Sequence, residues 1–179
     1  RVGLPLVLAS AAGIAVAWID GLPAGYLLVA AFAAWFAFAL FFFRNPRRAP
    51  FPGTEAQLLA PADGRVTDVT AVEEPEFLGG PAVRVGIFMS IFDVHVNRAP
   101  ATGRLAFFRH RDGAHGNVLF ERAWEKNENV LAGLETAHGP VAFRLTAGAV
   151  ARRIAFDPAP GAKIRRGHAV GMVKFGSRA

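Results

Sequence analysis

Apolar positions follow two different patterns along this chain. Residues 2–19 are 18 positions without a charge, Asp20 interrupts, and residues 21–43 are another 23 uncharged positions dense in Ala, Phe and Leu. Each run approaches the roughly 20 residues of helix that cross a hydrocarbon core. The break, Asp20-Gly21-Leu22-Pro23, is good turn chemistry. The pair predicts an N-terminal two-helix membrane hairpin, assigned to residues 1–48. Arg1 precedes the first run and Arg44-Asn45-Pro46-Arg47-Arg48 follows the second. Positive charge at both outer ends, against Asp20 alone at the tip, predicts cytoplasmic ends at the cell (inner) membrane. A shallow, non-spanning hairpin is the competing expectation. A signal peptide over the first run is another, although no small-residue cleavage site is followed by a mature soluble start. The first residue is Arg rather than Met, which predicts further sequence before it.

From residue 49 the pattern changes to short apolar runs cut by Gly and Pro about every ten residues. Residues 64–69, 82–88, 141–145 and 169–175 read as strands by alternation and β-branched content. Residues 117–129 are more polar and read as a loop or short helix. The expectation is mainly β: a compact β-sandwich or barrel-like domain over residues 49–179, without tandem repeats.

Composition narrows this picture. Of 179 residues, about 130 lie outside the hairpin, enough for one buried core. The mean hydropathy of +0.30 is a local effect of the apolar quarter. The chain has no cysteine, which excludes disulfides, thiol nucleophiles and Cys-ligated metal sites. The net charge of +6, with basic residues starting beside the apolar segment, points to anionic membrane lipid. Nucleic acid is not expected, because no aromatic–basic recognition motif occurs.

Three stretches carry candidate chemistry. Pro61-Ala62-Asp63-Gly64 is on its face a plain hairpin turn, though its Asp63 has the chemistry to orient a histidine. In residues 88–100, "FMSIFDVHVNRAP", a strand would place Asp93, His95 and Asn97 on one face and Val94 and Val96 on the other. That polar face is either a solvent-facing edge or a site. His95 is then the best general base, since an imidazole titrates near neutrality. The third stretch runs from Gly167 to Arg178, where Gly176-Ser177 alone signifies no more than a turn. His110 and His115 in "RHRDGAH" read as exposed loop residues.

Taken together, "PADGRV", "FMSIFDVHVNRAP" and "GMVKFGSR", in that order behind a hydrophobic hairpin, resemble the phosphatidylserine decarboxylase family. The likeness is closest to its short, single-hairpin prokaryotic class, and "FFFRNPRR" and Asn127-Glu128-Asn129 also look like that family. The resemblance implies a proenzyme that cuts itself between Gly176 and Ser177. Ser177 would attack the Gly176 carbonyl, a β chain would end at Gly176, and Ser177 would become a pyruvoyl group on the new α chain. That group would form a Schiff base with the serine amine of phosphatidylserine and yield phosphatidylethanolamine, with no metal. A pyruvoyl carbonyl is an electron sink like that of pyridoxal phosphate. The implied catalytic residues are Ser177, His95 and Asp63, with His115, Asp93 and Asn97 secondary. Arg98, Arg152 and Arg165 are candidates for the substrate phosphate. Long-class members carry two histidines three residues apart in the middle motif; here Arg98 stands at the second place, which leaves the base open between His95 and His115. The implied partners are phosphatidylserine, anionic lipid and the chain's own α chain, with self-association left open. The resemblance also implies an α chain continuing past Ser177, so that the sequence to Ala179 is the β portion plus a short stub. Two rivals stand beside this reading: a membrane-anchored biotinyl/lipoyl-like adaptor, suggested by "GAKIRRGHAVGMV", and a zinc hydrolase using His95, His110 or His115.

Overall fold

The computed structural model describes residues 23–48, 53–113, 127–148, 154–173 and 177–179. The chain divides into two compact units, residues 1–44 and 45–179. In the first unit, helix α1 covers Pro23–Phe42. Pro23 suits the first helical turn, where its missing N–H would have no partner. Twenty residues of helix rise about 30 Å, the thickness of a hydrocarbon core. The window Gly25–Phe42 has a mean hydropathy of 2.1, so α1 is long and apolar enough to cross a membrane. The Arg44 guanidinium closes the helix, donating to the Phe41 carbonyl at 2.7 Å while lying 3.8 Å over the Phe41 ring. The expected fold class is thereby corrected in part. One helix rather than a pair is present among the described residues, and the first apolar run, 2–19, lies outside them.

The second unit is mainly β, as the alternating pattern predicts. Its strands are β1 (Arg65–Glu74), β2 (Gly80–Met89), β3 (Val96–Arg98), β4 (Gly103–Arg111), β5 (Asn129–Thr136), β6 (Gly139–Thr146), β7 (Ile154–Phe156), β8 (Lys163–Ile164), β9 (Ala169–Val173) and β10 (Ser177–Arg178). One sheet has the order β1-β2-β10-β6-β5-β4-β8 and the other β3-β9-β7. Met89, Leu105, Leu134, Leu145, Val170 and Val173 are fully buried and join both sheets in one core. β5 reads as a continuous apolar run because it is covered on both faces. His110, expected in a loop, lies on β4, and its Nε2 is 3.0 Å from the Glu128 carboxylate.

The β1–β2 hairpin bends the large sheet toward closure. Its turn is fixed by Glu74, whose carboxylate accepts from the amides of Glu76, Phe77 and Leu78 at 2.7–3.2 Å. Gly79, at φ +72°, completes it in the left-handed region. The tip reaches β4–β6: the Phe77 ring covers Gly133 and stacks near Phe107 at 5.9 Å. Glu76 pairs with Arg109 and, at 3.8 Å, with Arg144. An added Cβ at Gly133 would sit 2.5 Å from the Phe77 ring, so glycine is what lets the tip dock. Inside the resulting half-barrel is a largely apolar cavity of about 500 Å³, bordered by Val85, Ile87, Phe143 and the terminal Arg178-Ala179.

Candidate active site

The middle motif is not one strand. β2 ends at Met89 and β3 begins at Val96, with a capped turn between them. The Asp93 carboxylate accepts from the Ser90 amide at 2.8 Å, the Asp93 amide donates to the Ser90 carbonyl at 3.1 Å, and the Ser90 hydroxyl accepts from the Phe92 amide at 3.3 Å. Short polar side chains that bond neighbouring amides compete with a ladder, and here they win. Asp93 is therefore a turn residue. His95 and Asn97, with no solvent exposure, are interior residues rather than part of a solvent-facing edge.

His95 Nδ1 lies 3.0 Å from the Asp93 carbonyl oxygen. A carbonyl only accepts, so Nδ1 carries the hydrogen, and a neutral ring then holds its lone pair on Nε2. Asn97 donates from Nδ2 to the Met89 sulfur at 3.7 Å. Its Oδ1 is buried with no hydrogen-bond partner among the described residues. A buried amide oxygen left this way is costly, which is characteristic of a site that a reacting group completes.

Backbone pairing joins the three motifs. Arg98 donates its amide to the Pro61 carbonyl at 2.8 Å, and Leu59 donates to the Pro100 carbonyl at 2.9 Å, which lays the first motif along β3. Its other end meets β2: Arg65 pairs with Phe88, and a Cβ on Gly64 (φ +151°) would lie 2.2 Å from the Phe88 carbonyl oxygen. The last motif arrives on the same strand, with Ser177 in register with Met89 and Arg178 with Phe88. Ala179 and Ile87 then exchange two backbone hydrogen bonds at 2.7 and 2.9 Å. Met89 is thus the neighbour of Ser177 across the ladder and of Asn97 through its sulfur.

Two residues that the sequence reading passed over hold β10 in place. Asp68 pairs with Arg178 through one oxygen and with Arg84 at 3.0 Å through the other. Burial lowers the Arg178 pKa. Gly86 leaves the space: a Cβ there would sit 2.3 Å from Asp68 Oδ1 and 2.4 Å from Arg178 Nη2. An Asp directly before a Val in a β-branched run is an ordinary strand signal, so the sequence offered no pointer to it.

The other candidates are dispersed. Asp63 pairs with Arg48. Arg98 is engaged by neutral oxygens, donating to Gly167 at 3.0 Å, to Asn45 Oδ1 at 2.5 Å and to Pro46 at 3.2 Å. It ties residues 45–46 to β3. Arg165 is exposed on the turn between β8 and β9. Gly176, His115 and Arg152 lie outside the described residues, as does the Ser177 side chain. No group of three His, Asp or Glu side chains placed to hold a metal occurs among the described residues.

Residues 35–179 match the family model described as phosphatidylserine decarboxylase. The chain is 44% identical over 142 residues to a phosphatidylserine decarboxylase proenzyme of Carboxydothermus hydrogenoformans, covering 79% of this chain and 66% of that protein. It is 43% identical to the Salinibacter ruber proenzyme of the same name, covering 90% and 72%. It is 38% identical to that of Rhodopirellula baltica, covering 99% and 74%. The chain therefore spans about two thirds to three quarters of these relatives.

Proposed function

The chain belongs to the phosphatidylserine decarboxylase family, and from that premise we propose that it decarboxylates phosphatidylserine to phosphatidylethanolamine, using a pyruvoyl group made from Ser177 by self-cleavage after Gly176. The observation that carries the reading is the anchoring of β10. A cut between 176 and 177 would leave residue 177 held from its C-terminal side, by the Ala179–Ile87 hydrogen bonds and the Arg178–Asp68 pair. A group built on residue 177 would therefore keep its place across from Met89, near the buried Asn97 amide, and in this sense the surrounding residues fit it. When present, a pyruvoyl group supplies a carbonyl that takes up the electron pair released as carbon dioxide leaves.

The chain's own residues divide the remaining work. His95 is the base that takes the Ser177 hydroxyl proton, on Nε2, while the Asp93 carbonyl holds Nδ1–H. Asp93 fixes the turn that presents this ring. Asn97 Oδ1, buried without a partner among the described residues, would accept a hydrogen bond from the reacting group. Asp63, with Arg48, steadies the first motif between β3 and β2. The neighbouring apolar cavity suits a lipid substrate. Helix α1, followed by Arg44, Arg47 and Arg48, sits in the membrane with the β unit on the cytoplasmic side. Family membership sets aside the adaptor reading.

The experiment is Ser177→Ala in the full-length protein, with intact mass and phosphatidylethanolamine formation as readouts. The unchanged protein should separate into two chains, the longer ending at Gly176, and the variant should stay whole and inactive. Decarboxylation by an uncut Ser177→Ala protein would end the proposal.

A further inference from the structure

A second basic site lies away from the residues described above. A cleft of about 960 Å³ is walled by Arg48, Arg98, Arg165, Arg166, His138 and His168, with Glu55 the one acid among the described residues that line it. Two of the four guanidinium groups have carboxylate partners: Arg48 pairs with Asp63 and Arg166 with Glu55. Among the described residues Arg98 donates only to neutral oxygens. Arg165 is exposed and has no ion pair or side-chain hydrogen bond among the described residues. At least two positive charges thus face one open space without a carboxylate partner among the described residues. Like charges crowded around a concavity raise the local concentration of anions. Guanidinium groups and imidazole N–H groups together match the oxygens of a phosphate.

Its position decides which phosphate. In the β3–β9 ladder Arg98 pairs with Ala169, at the cleft end, and Val96 with Met172. Arg98 lines the cleft, while its neighbour Asn97 is buried beside Met89, the register partner of Ser177, so the two side chains leave opposite faces of β3. In one serine headgroup, only an oxygen and two carbons separate phosphorus from nitrogen. With the β3 backbone between them, a headgroup this short that is seated at residue 177 does not also fill this cleft. The wall residue Arg48 also follows the apolar helix Pro23–Phe42 by only six positions in sequence. Residues just beyond a membrane helix lie among lipid headgroups.

We infer that the cleft around Arg165 and Arg98 binds the phosphate of a second, non-substrate anionic phospholipid, and so docks the catalytic unit on an anionic bilayer. The inference rests on the decarboxylase reading for the location of the reacting residue. Its test does not require turnover. Full-length protein in a neutral detergent is titrated calorimetrically with dihexanoyl phosphatidylglycerol, which has no amine or carboxylate and cannot be decarboxylated. Parallel titrations use inorganic phosphate and dihexanoyl phosphatidylcholine.

Phosphatidylglycerol should bind, with an affinity that falls as salt is raised. Arg165→Glu should weaken it at least about tenfold and Arg165→Lys much less, both with an unchanged unfolding temperature because the side chain is exposed. Ser177→Ala should bind as the unchanged protein does. Equal binding by Arg165→Glu would overturn the site. Equal binding of inorganic phosphate would make it a free-phosphate site and overturn the lipid assignment. Loss of binding in Ser177→Ala would place the headgroup at the reacting residue and overturn the claim of a second lipid. None of these results bears on self-cleavage, so the inference and the decarboxylase reading fail separately.

Discussion

His95 and His110 show how residue identity and environment divide responsibility. Both are histidines on a β-rich chain, and the local motifs already favour His95 as the base and His110 as a surface residue. His95 is fully buried with Nδ1 fixed by a carbonyl, whereas His110 is partly exposed and bound to Glu128. His95→Ala should slow self-cleavage or decarboxylation by at least about a hundredfold, the usual contribution of a general acid–base group. His110→Ala should leave rates within a few-fold. Single-turnover processing followed on a denaturing gel separates the two, and equal behaviour would remove His95 from its role. Gly86→Ala tests a residue whose importance no local pattern reveals. Its Cβ would enter the space shared by the ends of the Asp68 and Arg178 side chains, so that pair must move apart and chain separation should slow in a folded protein. The readout is the mass ratio of cut to uncut chain, and normal processing would show that the Arg178–Asp68 pair does not position the scissile bond.

At the scale of elements, the strands with clean alternation were readable and the interrupted ones were not. Residues 82–88 and 141–145 fall inside β2 and β6, while residues 88–100, considered as one strand, hold the end of β2 and all of β3, because Ser90 and Asp93 cap a turn between them. Side-chain bonding to neighbouring amides depends on rotamers that periodicity does not encode. β4 and β5 also escaped notice. β5 lacks alternation because both its faces are covered, and that cover comes in part from a hairpin tip about fifty residues earlier in the chain. Phe77→Ala should therefore destabilise the β unit by about 2 kcal/mol, less than for a fully buried ring. Thermal unfolding would detect a drop of several degrees. No change would mean that the Phe77–Gly133 contact contributes nothing to closure.

For the whole molecule, charge at the end of α1 argues for a cytoplasmic β unit. The chain has no cysteine, so a single one reports cleanly. Thr70→Cys, on an exposed position of β1, should react with an impermeant maleimide only after cells are opened. Labelling of intact cells would reverse the proposed orientation.

The amino-acid sequence by itself determined the apolar segment, the β class of the remainder and the family, because hydropathy, alternation and contiguous motifs are local properties that each residue carries with it. Only the tertiary structure decided that three motifs spread over more than a hundred positions meet on β2 and β3. It also revealed that Arg98 straps residues 45–46 and that Asp68 secures Arg178 through the gap at Gly86. Those contacts depend on strand register and on the space between distant chain segments, and neither quantity exists until the sheet has closed.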